Sequence, residues 1–94
     1  MLQELYTLKN LITKTHGSLM TFQNEEHAKD EISKFLKKEI EQNDFNPEKF
    51  ELWHSGSYEN TTGAIYAIYS DDSLEACSAE FICNCSELLK KETL

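Results

Sequence analysis

Residues 25–42 constrain the fold most, because they form a clear amphipathic helix pattern. Asn24 is a favourable N-cap residue, and Glu25 and Glu26 follow in the first turn, where the helix dipole favours anions. Apolar residues recur at the three- and four-residue spacing of a helical stripe, and they are Ala28, Ile32, Phe35, Leu36 and Ile40. The helix ends before Pro47. Its apolar stripe must be covered by a second layer, which the flanking segments supply.

The stretch before this helix favours a β-hairpin. Residues 5–12 form its first strand, residues 16–18 its turn, and residues 19–22 its second strand. A helical stripe also fits the first segment, and the residues that would form it are Leu2, Leu5, Leu8 and Ile12. Tyr6 and the nearby threonines favour the strand.

A second hairpin is predicted after the helix. Residues 50–58 alternate between two faces, and Gly56 indicates a bulge. One face carries Phe50, Leu52, His54 and Tyr58, and the other carries Glu51, Trp53, Ser55 and Ser57. Residues 59–63 form the loop, in which Gly63 takes the left-handed conformation. The return strand, residues 64–69, is apolar on both faces, which is typical of a central strand.

A last helix is predicted within residues 73–91. Asp71, Asp72 and Ser73 cap it, or it begins as late as Ala79. The sequence therefore predicts one small α+β domain over residues 1–94, in the order β-β-α-β-β-α. Its sheet has four mostly antiparallel strands, with the 25–42 helix packed on one face and a C-terminal helix at the end.

Charge bears on the kind of partner. The chain carries 9 lysines, no arginine and 17 Asp and Glu residues, which gives a net charge of −8. Between Phe50 and Leu89 there are seven carboxylates and no lysine. Nucleic-acid recognition relies on lysine and arginine at phosphates and on arginine at base edges. Direct binding to nucleic acid is therefore disfavoured.

The same composition bears on the compartment. No stretch approaches the about 20 successive apolar residues of a membrane span. The opening residues also lack the basic and apolar regions of a signal peptide. We therefore expect a cytoplasmic protein whose cysteines are reduced.

No pattern of nucleophilic catalysis is found. Residues 54–57, with the sequence HSGS, suggest a hydrolase at first sight. Adjacent residues on a strand point to opposite faces, however, and the sequence has no G-x-S-x-G turn. We expect the protein not to be an enzyme.

Metal sites are disfavoured on spacing. Cys77, Cys83 and Cys85 lack the usual C-x(2–4)-C pairing of a zinc site, and buried small side chains explain them more simply. The acidic residues near position 72 lack the ligand spacing of a calcium loop. We expect neither a metal nor another cofactor.

A protein-contact surface is the remaining candidate site. Aromatic residues and carboxylates gather in the second hairpin and the segment after it, and Trp53 shares its strand face with polar residues that resist burial. The predicted contact residues are Glu51, Trp53, Ser55, Glu59, Tyr66, Asp71, Asp72 and Glu75. The alternative is that most of the aromatic side chains belong to the core.

One block of the chain resembles a known family. Residues 46–53, with the sequence NPEKFELW, are followed by Gly56-Ser57-Tyr58 and by Thr62-Gly63. This block is similar to the small nonstructural protein of gokushovirus-type microviruses, which are single-stranded-DNA phages. Weaker similarity extends to residues 19–35 and 79–85. The resemblance implies a nonstructural protein associated with DNA binding or replication, and it brings no catalytic residues.

These observations lead to two functional hypotheses. The first is a non-enzymatic phage accessory protein that binds another protein during replication or packaging of a small single-stranded-DNA genome. The second is an acidic nucleic-acid mimic that inhibits a host defence nuclease, as an anti-CRISPR or anti-restriction protein does, because the carboxylates of residues 50–89 complement a basic groove. Ordinary solubilising charge is the simpler explanation of those carboxylates. The sequence leaves the oligomeric state open.

Overall fold

Helix α1 comprises Glu25–Asn43, as the sequence predicts. The computed structural model describes residues 1–68 and 79–90 of the chain. The Asn24 side chain accepts a hydrogen bond from the His27 amide at 2.8 Å, so Asn24 is the predicted N-cap. Because this bond satisfies one of the free amides of the first turn, it holds the start of α1 in place.

The buried stripe of α1 is narrower than predicted. Its buried apolar residues are Ala28, Ile32 and Leu36, which follow one another at a spacing of four. Phe35 is 49% exposed and Ile40 is 37% exposed, so placing these two in the core was wrong. Both residues lie at the margins of the stripe that Ala28, Ile32 and Leu36 form, one on each side of it.

In the described part of the chain six strands form one sheet, and each pairing between them is antiparallel. They are β1 (Leu2–Asn10), β2 (Thr15–His16), β3 (Met20–Phe22), β4 (Phe50–Glu59), β5 (Ala64–Tyr66) and β6 (Glu80–Asn84). Strands β1 and β4 pair with each other at the centre. Strands β2 and β3 share the outer edge of β1, and β5 and β6 share the outer edge of β4. The sheet thus has four strand positions, which confirms the predicted α+β fold.

The first hairpin turns earlier than predicted. Its turn lies at residues 11–14, and His16 belongs to β2 rather than to a turn. The Asn10 side chain accepts hydrogen bonds from the amides of Ile12 at 2.9 Å and Thr13 at 3.2 Å. Lys14 completes the turn with a φ of 62°. The turn signal is therefore the side chain of Asn10, since asparagine can cap the backbone that follows it.

Within the described residues strand β5 lies at an edge of the sheet, so the prediction of a central strand over residues 64–69 was wrong for residues 64–68, and residue 69 lies outside the described residues. Among the described residues it pairs with β4 alone. Ile65 is 66% exposed and Tyr66 is 53% exposed. The loop before it matches the prediction, because Gly63 has a φ of 80° and its amide donates to the Glu59 carbonyl at 2.8 Å. An apolar composition does not by itself bury a strand.

The C-terminal segment is part strand and part helix. Helix α2 comprises Cys85–Lys90, but Glu80–Asn84 form β6, so the prediction of helix was wrong over those five residues. The proposed cap at residues 71–73 lies outside the described residues. Short apolar runs fit helix and strand alike, and here pairing with β4 decides for the strand.

Gly56 lies next to a bulge, as predicted. Along the β1–β4 pair, His54 stands opposite Tyr6 and Gly56 stands opposite Leu5, so Ser55 is the extra residue. Gly56 itself has a φ of 145°.

The bulge also changes which face the later residues of β4 use. The Ser57 hydroxyl donates to the Glu4 carboxylate at 3.1 Å, and His54 contacts the same carboxylate at 2.9 Å. The prediction that Ser57 shares the side of Trp53 was therefore wrong, because one inserted residue reverses the alternation beyond it.

The hydrophobic core lies between the two helices and one face of the sheet. Its buried members are Tyr6, Ala28, Ile32, Leu36, Leu52, Cys83, Cys85 and Leu88. Cys83 and Cys85 are thus buried side chains, as expected, whereas Cys77 lies outside the described residues. Within the described ranges, no helix has the length and apolar character needed to cross a membrane.

The residue at the C-terminal end of helix α1 can be replaced by one that stabilises the protein. Asp44, its C-cap, has a φ of 53°, and the last turn carries no basic residue. Glycine takes positive φ without the steric cost that aspartate bears, and its lack of charge removes an unfavourable interaction with the negative end of the helix dipole. We expect Asp44→Gly to raise the free energy of unfolding by about 0.5–1 kcal/mol.

Urea denaturation would measure this change. The matched control is Asn43→Gly, at the last helical position, which should lower stability slightly because it removes the hydrogen bond that Asn43 donates to the Glu39 carboxylate and because glycine has the lower helix propensity. Equal destabilisation by both variants would show that the conformation of Asp44 carries no strain.

Candidate functional site

One face of the central sheet carries no helix among the described residues. Leu52 is fully buried in the core beneath α1, and the next residue on β4 is Trp53. Neighbouring strand residues point to opposite faces, so Trp53 lies on the side of the sheet away from the core. Its side chain is half-buried and is absent from the core cluster.

Aromatic rings from the two outer strand positions flank Trp53. His16 of β2 packs against it with a centroid distance of 5.5 Å and an interplanar angle of 81°. Phe81 of β6 packs on it with a centroid distance of 5.7 Å and an angle of 68°. Edge-to-face contacts of this kind are favourable because the positive ring edge meets the negative ring face. Phe81 nevertheless remains 51% exposed.

Polar side chains complete this surface. The indole N–H of Trp53 donates to the Glu51 carboxylate at 3.0 Å. The Lys9 ammonium lies 5.0 Å from the centroid of the Trp53 ring, a cation–π contact. Thr7 is buried, at 4% exposure, and its Oγ1 is hydrogen-bonded to Nδ1 of the exposed His16 at 2.7 Å, so Thr7 supports the face from beneath. We call these six residues, Thr7, Lys9, His16, Glu51, Trp53 and Phe81, the Trp53 face.

Of the five predicted contact residues that the structure describes, it brings two into direct contact. Glu51 and Trp53 are in direct contact, whereas Ser55 is the inserted residue of the bulge. Glu59 lies at the far end of β4, and Tyr66 lies on the edge strand β5 opposite Ser57. The other three, Asp71, Asp72 and Glu75, lie outside the described residues.

Glu59 is engaged in local contacts at its end of the sheet. Its carboxylate accepts hydrogen bonds from the N-terminal ammonium of Met1 and from the hydroxyl of Thr61. These hydrogen bonds, that of the ammonium first, lower the pKa of Glu59 to about 2. A carboxylate held in this way is less available to a partner.

A second polar cluster surrounds His54 on the core side of the sheet. His54 Nε2 lies 2.9 Å from Glu4, and its Nδ1 lies 3.8 Å from Glu80. Ser57 donates to Glu4 and not to the imidazole, so the ring is not positioned to take the serine proton. This geometry differs from the serine–histidine arrangement of a hydrolase.

Burial affects two further groups in the core. The pKa of Tyr6 is raised to about 12, by burial first and then by the charges of nearby carboxylates. The pKa of the Cys85 thiol is also raised to about 12, by burial and then by Cys83 and Glu51. A thiol that stays protonated at neutral pH is a poor nucleophile. Within residues 1–68 and 79–90, no group of three or more His, Cys, Asp and Glu side chains could hold a metal ion.

Sequence reasoning missed four members of the Trp53 face, namely Thr7, Lys9, His16 and Phe81. Lys9 stands opposite both His16 and Glu51, and Phe81 stands opposite Trp53. The alternation of β1 hints at the first two, since Thr7 and Lys9 share a face. Their contact with Trp53 depends on register across strands that are far apart in the chain.

The fold and this face define a small α+β domain with an aromatic cluster on the sheet surface opposite the two described helices. Comparison with protein-family models, curated proteins and solved structures finds no match to the chain. The Trp53 face is therefore the feature from which a function can be inferred.

Proposed function

We propose that this chain is a non-enzymatic binding protein whose contact surface is the Trp53 face. The observation that carries this proposal is the half-buried Trp53, flanked by His16 and Phe81 on a surface that no described helix covers. Tryptophan is enriched among the residues that dominate the binding energy of protein–protein interfaces, which typically have a polar rim.

The wider setting follows from the resemblance to microvirus nonstructural proteins. In that setting the partner is a phage protein of replication or packaging, and the interaction takes place in the cytoplasm of the host cell. Direct nucleic-acid binding stays disfavoured, because the chain has no arginine and a net charge of −8.

Inhibition of a host nuclease is less favoured by the described residues. A nucleic-acid mimic needs its carboxylates arranged as one field. Here Glu51 binds the Trp53 indole, Glu59 binds the N-terminal ammonium, and Glu80 lies near His54. Each of these three carboxylates is thus engaged by a group of its own chain.

Affinity capture from phage-infected cells tests the proposal, with the wild type, Trp53→Ala and Phe35→Ala as baits. Phe35 is the matched control, because it is a half-exposed aromatic residue on α1, on the other side of the sheet. We expect the wild type and Phe35→Ala to capture a phage replication or packaging protein. Trp53→Ala should weaken this binding by about 30-fold, since truncating a hot-spot residue costs about 2 kcal/mol.

The outcomes separate the alternatives. Undiminished capture by Trp53→Ala would remove the Trp53 face as the contact surface. Capture of a basic host nuclease, lost as the salt concentration rises, would instead support the inhibitor function. Circular dichroism of each bait checks that it is folded.

A further inference from the structure

The Trp53 face already holds a cation from its own chain. Lys9 comes from β1, and its ammonium lies 5.0 Å from the centroid of the Trp53 ring. In the β1–β4 register Lys9 stands directly opposite Glu51. The position over the indole therefore combines the negative face of an aromatic ring with a neighbouring carboxylate, the two features that attract a cationic group.

The surroundings of this position are prearranged. Glu51 accepts the indole N–H at 3.0 Å, which fixes the ring in its plane. His16 and Phe81 meet the indole at angles of 81° and 68°, so they pack on Trp53 from the strand positions on both sides. A ring that is held from several sides loses little conformational freedom when a ligand binds.

The occupying lysine is replaceable. Lys9 is half-buried, like Trp53, and a single cation–π contact is weak enough to exchange with another cation. The net charge of −8 attracts basic segments to the protein in general. Charge thus brings such a segment to the surface, and the indole supplies a specific place for its side chain.

Building on the function proposed above, we propose that the Trp53 face binds a lysine or arginine side chain of a basic segment of the partner, which displaces Lys9 from the indole. The partner group then occupies the ring face beside Glu51, and the Lys9 ammonium moves into solvent. Lys9 is in this view an internal competitor that weakens binding of the partner.

Acetylated and amidated hexalysine is the probe, with the corresponding hexaglutamine as the uncharged control. Binding to the folded chain is measured by calorimetry, and the Trp53 indole N–H is followed by NMR. Hexalysine should bind and shift the indole signal, whereas hexaglutamine should do neither. Trp53→Leu keeps the net charge and should weaken hexalysine binding about 5-fold or more, so general charge attraction can be separated from binding at the ring.

The decisive variant is Lys9→Thr, which opens the ring face and suits a strand. Its matched control is Lys38→Ala, which changes the net charge equally at an exposed position on α1. We expect Lys9→Thr to tighten hexalysine binding about 2- to 5-fold beyond the effect of Lys38→Ala, because a competing cation is gone.

If Lys9→Thr bound hexalysine no more tightly than Lys38→Ala does, the inference would be overturned. If Trp53→Ala still lost the captured partner in that case, the Trp53 face would remain the contact surface, and only the cationic occupant would be wrong. If Trp53→Ala kept the partner while Lys9→Thr tightened hexalysine binding, the cation site would stand and the proposed function would fail.

Discussion

Gly56→Ala is expected to lower the free energy of unfolding by about 3–5 kcal/mol. A Cβ atom at this position would lie 2.4 Å from the carbonyl oxygen of Tyr66, which is a backbone atom that cannot rotate away. The φ of Gly56, 145°, is also one that residues with a side chain rarely adopt. A domain of this size has a stability of only about 5–15 kcal/mol, so the variant should be largely unfolded at modest urea concentrations.

Gly63→Ala is the matched control for this prediction. Gly63 also has a positive φ, 80°, but a Cβ there meets nothing within 4 Å. The variant therefore bears conformational strain without a steric clash and should lose only about 1 kcal/mol. Urea denaturation of both variants separates the two causes. If Gly56→Ala and Gly63→Ala lost equal amounts of unfolding free energy, the β5 backbone would have moved aside to accommodate the new methyl group at position 56.

Leu52→Ala should cost about 3–5 kcal/mol, because Leu52 is completely buried and its truncation leaves a cavity in the core. Trp53→Ala, one residue later, should cost only about 1–2 kcal/mol despite removing a larger side chain. Trp53 is half-buried, and the variant loses mainly two edge-to-face ring contacts, one cation–π contact and the hydrogen bond of the indole N–H to Glu51.

Thermal and urea denaturation of the two variants check this contrast. The diagnostic result is a smaller loss of unfolding free energy for Trp53→Ala than for Leu52→Ala. Side-chain size alone predicts the reverse order, because tryptophan is larger than leucine. A Trp53→Ala variant that unfolds at room temperature would place Trp53 in the core and would remove the contact surface proposed here.

Helix α1 is an element that the local sequence pattern predicts well. Its N-cap at Asn24 and its extent are encoded within a few residues, and the sequence predicts both closely. The glycine of the second hairpin loop and the bulge next to Gly56 were also predictable, because each depends on the conformational freedom of a single residue.

The outer strands β5 and β6 are elements that the local sequence pattern predicts poorly. The apolar residues of β5 predicted a central strand, yet the strand lies at an edge with Ile65 and Tyr66 exposed. The spacing of apolar residues predicted helix over Glu80–Asn84, where pairing with β4 imposes a strand. Position within a sheet and pairing with a distant strand are long-range properties that local periodicity does not encode.

The candidate site also has a part that the sequence predicts and a part that depends on the tertiary structure. The alternation of β4 was enough to place Trp53 and Glu51 on one face, because a strand has a period of two. Only the tertiary structure brought His16 and Phe81 against Trp53 and moved Ser57 to the opposite face. The contacts of His16 and Phe81 with Trp53 depend on the register of strands that are far apart in the chain. The placement of Ser57 depends on the inserted residue of the bulge, which reverses the alternation beyond it.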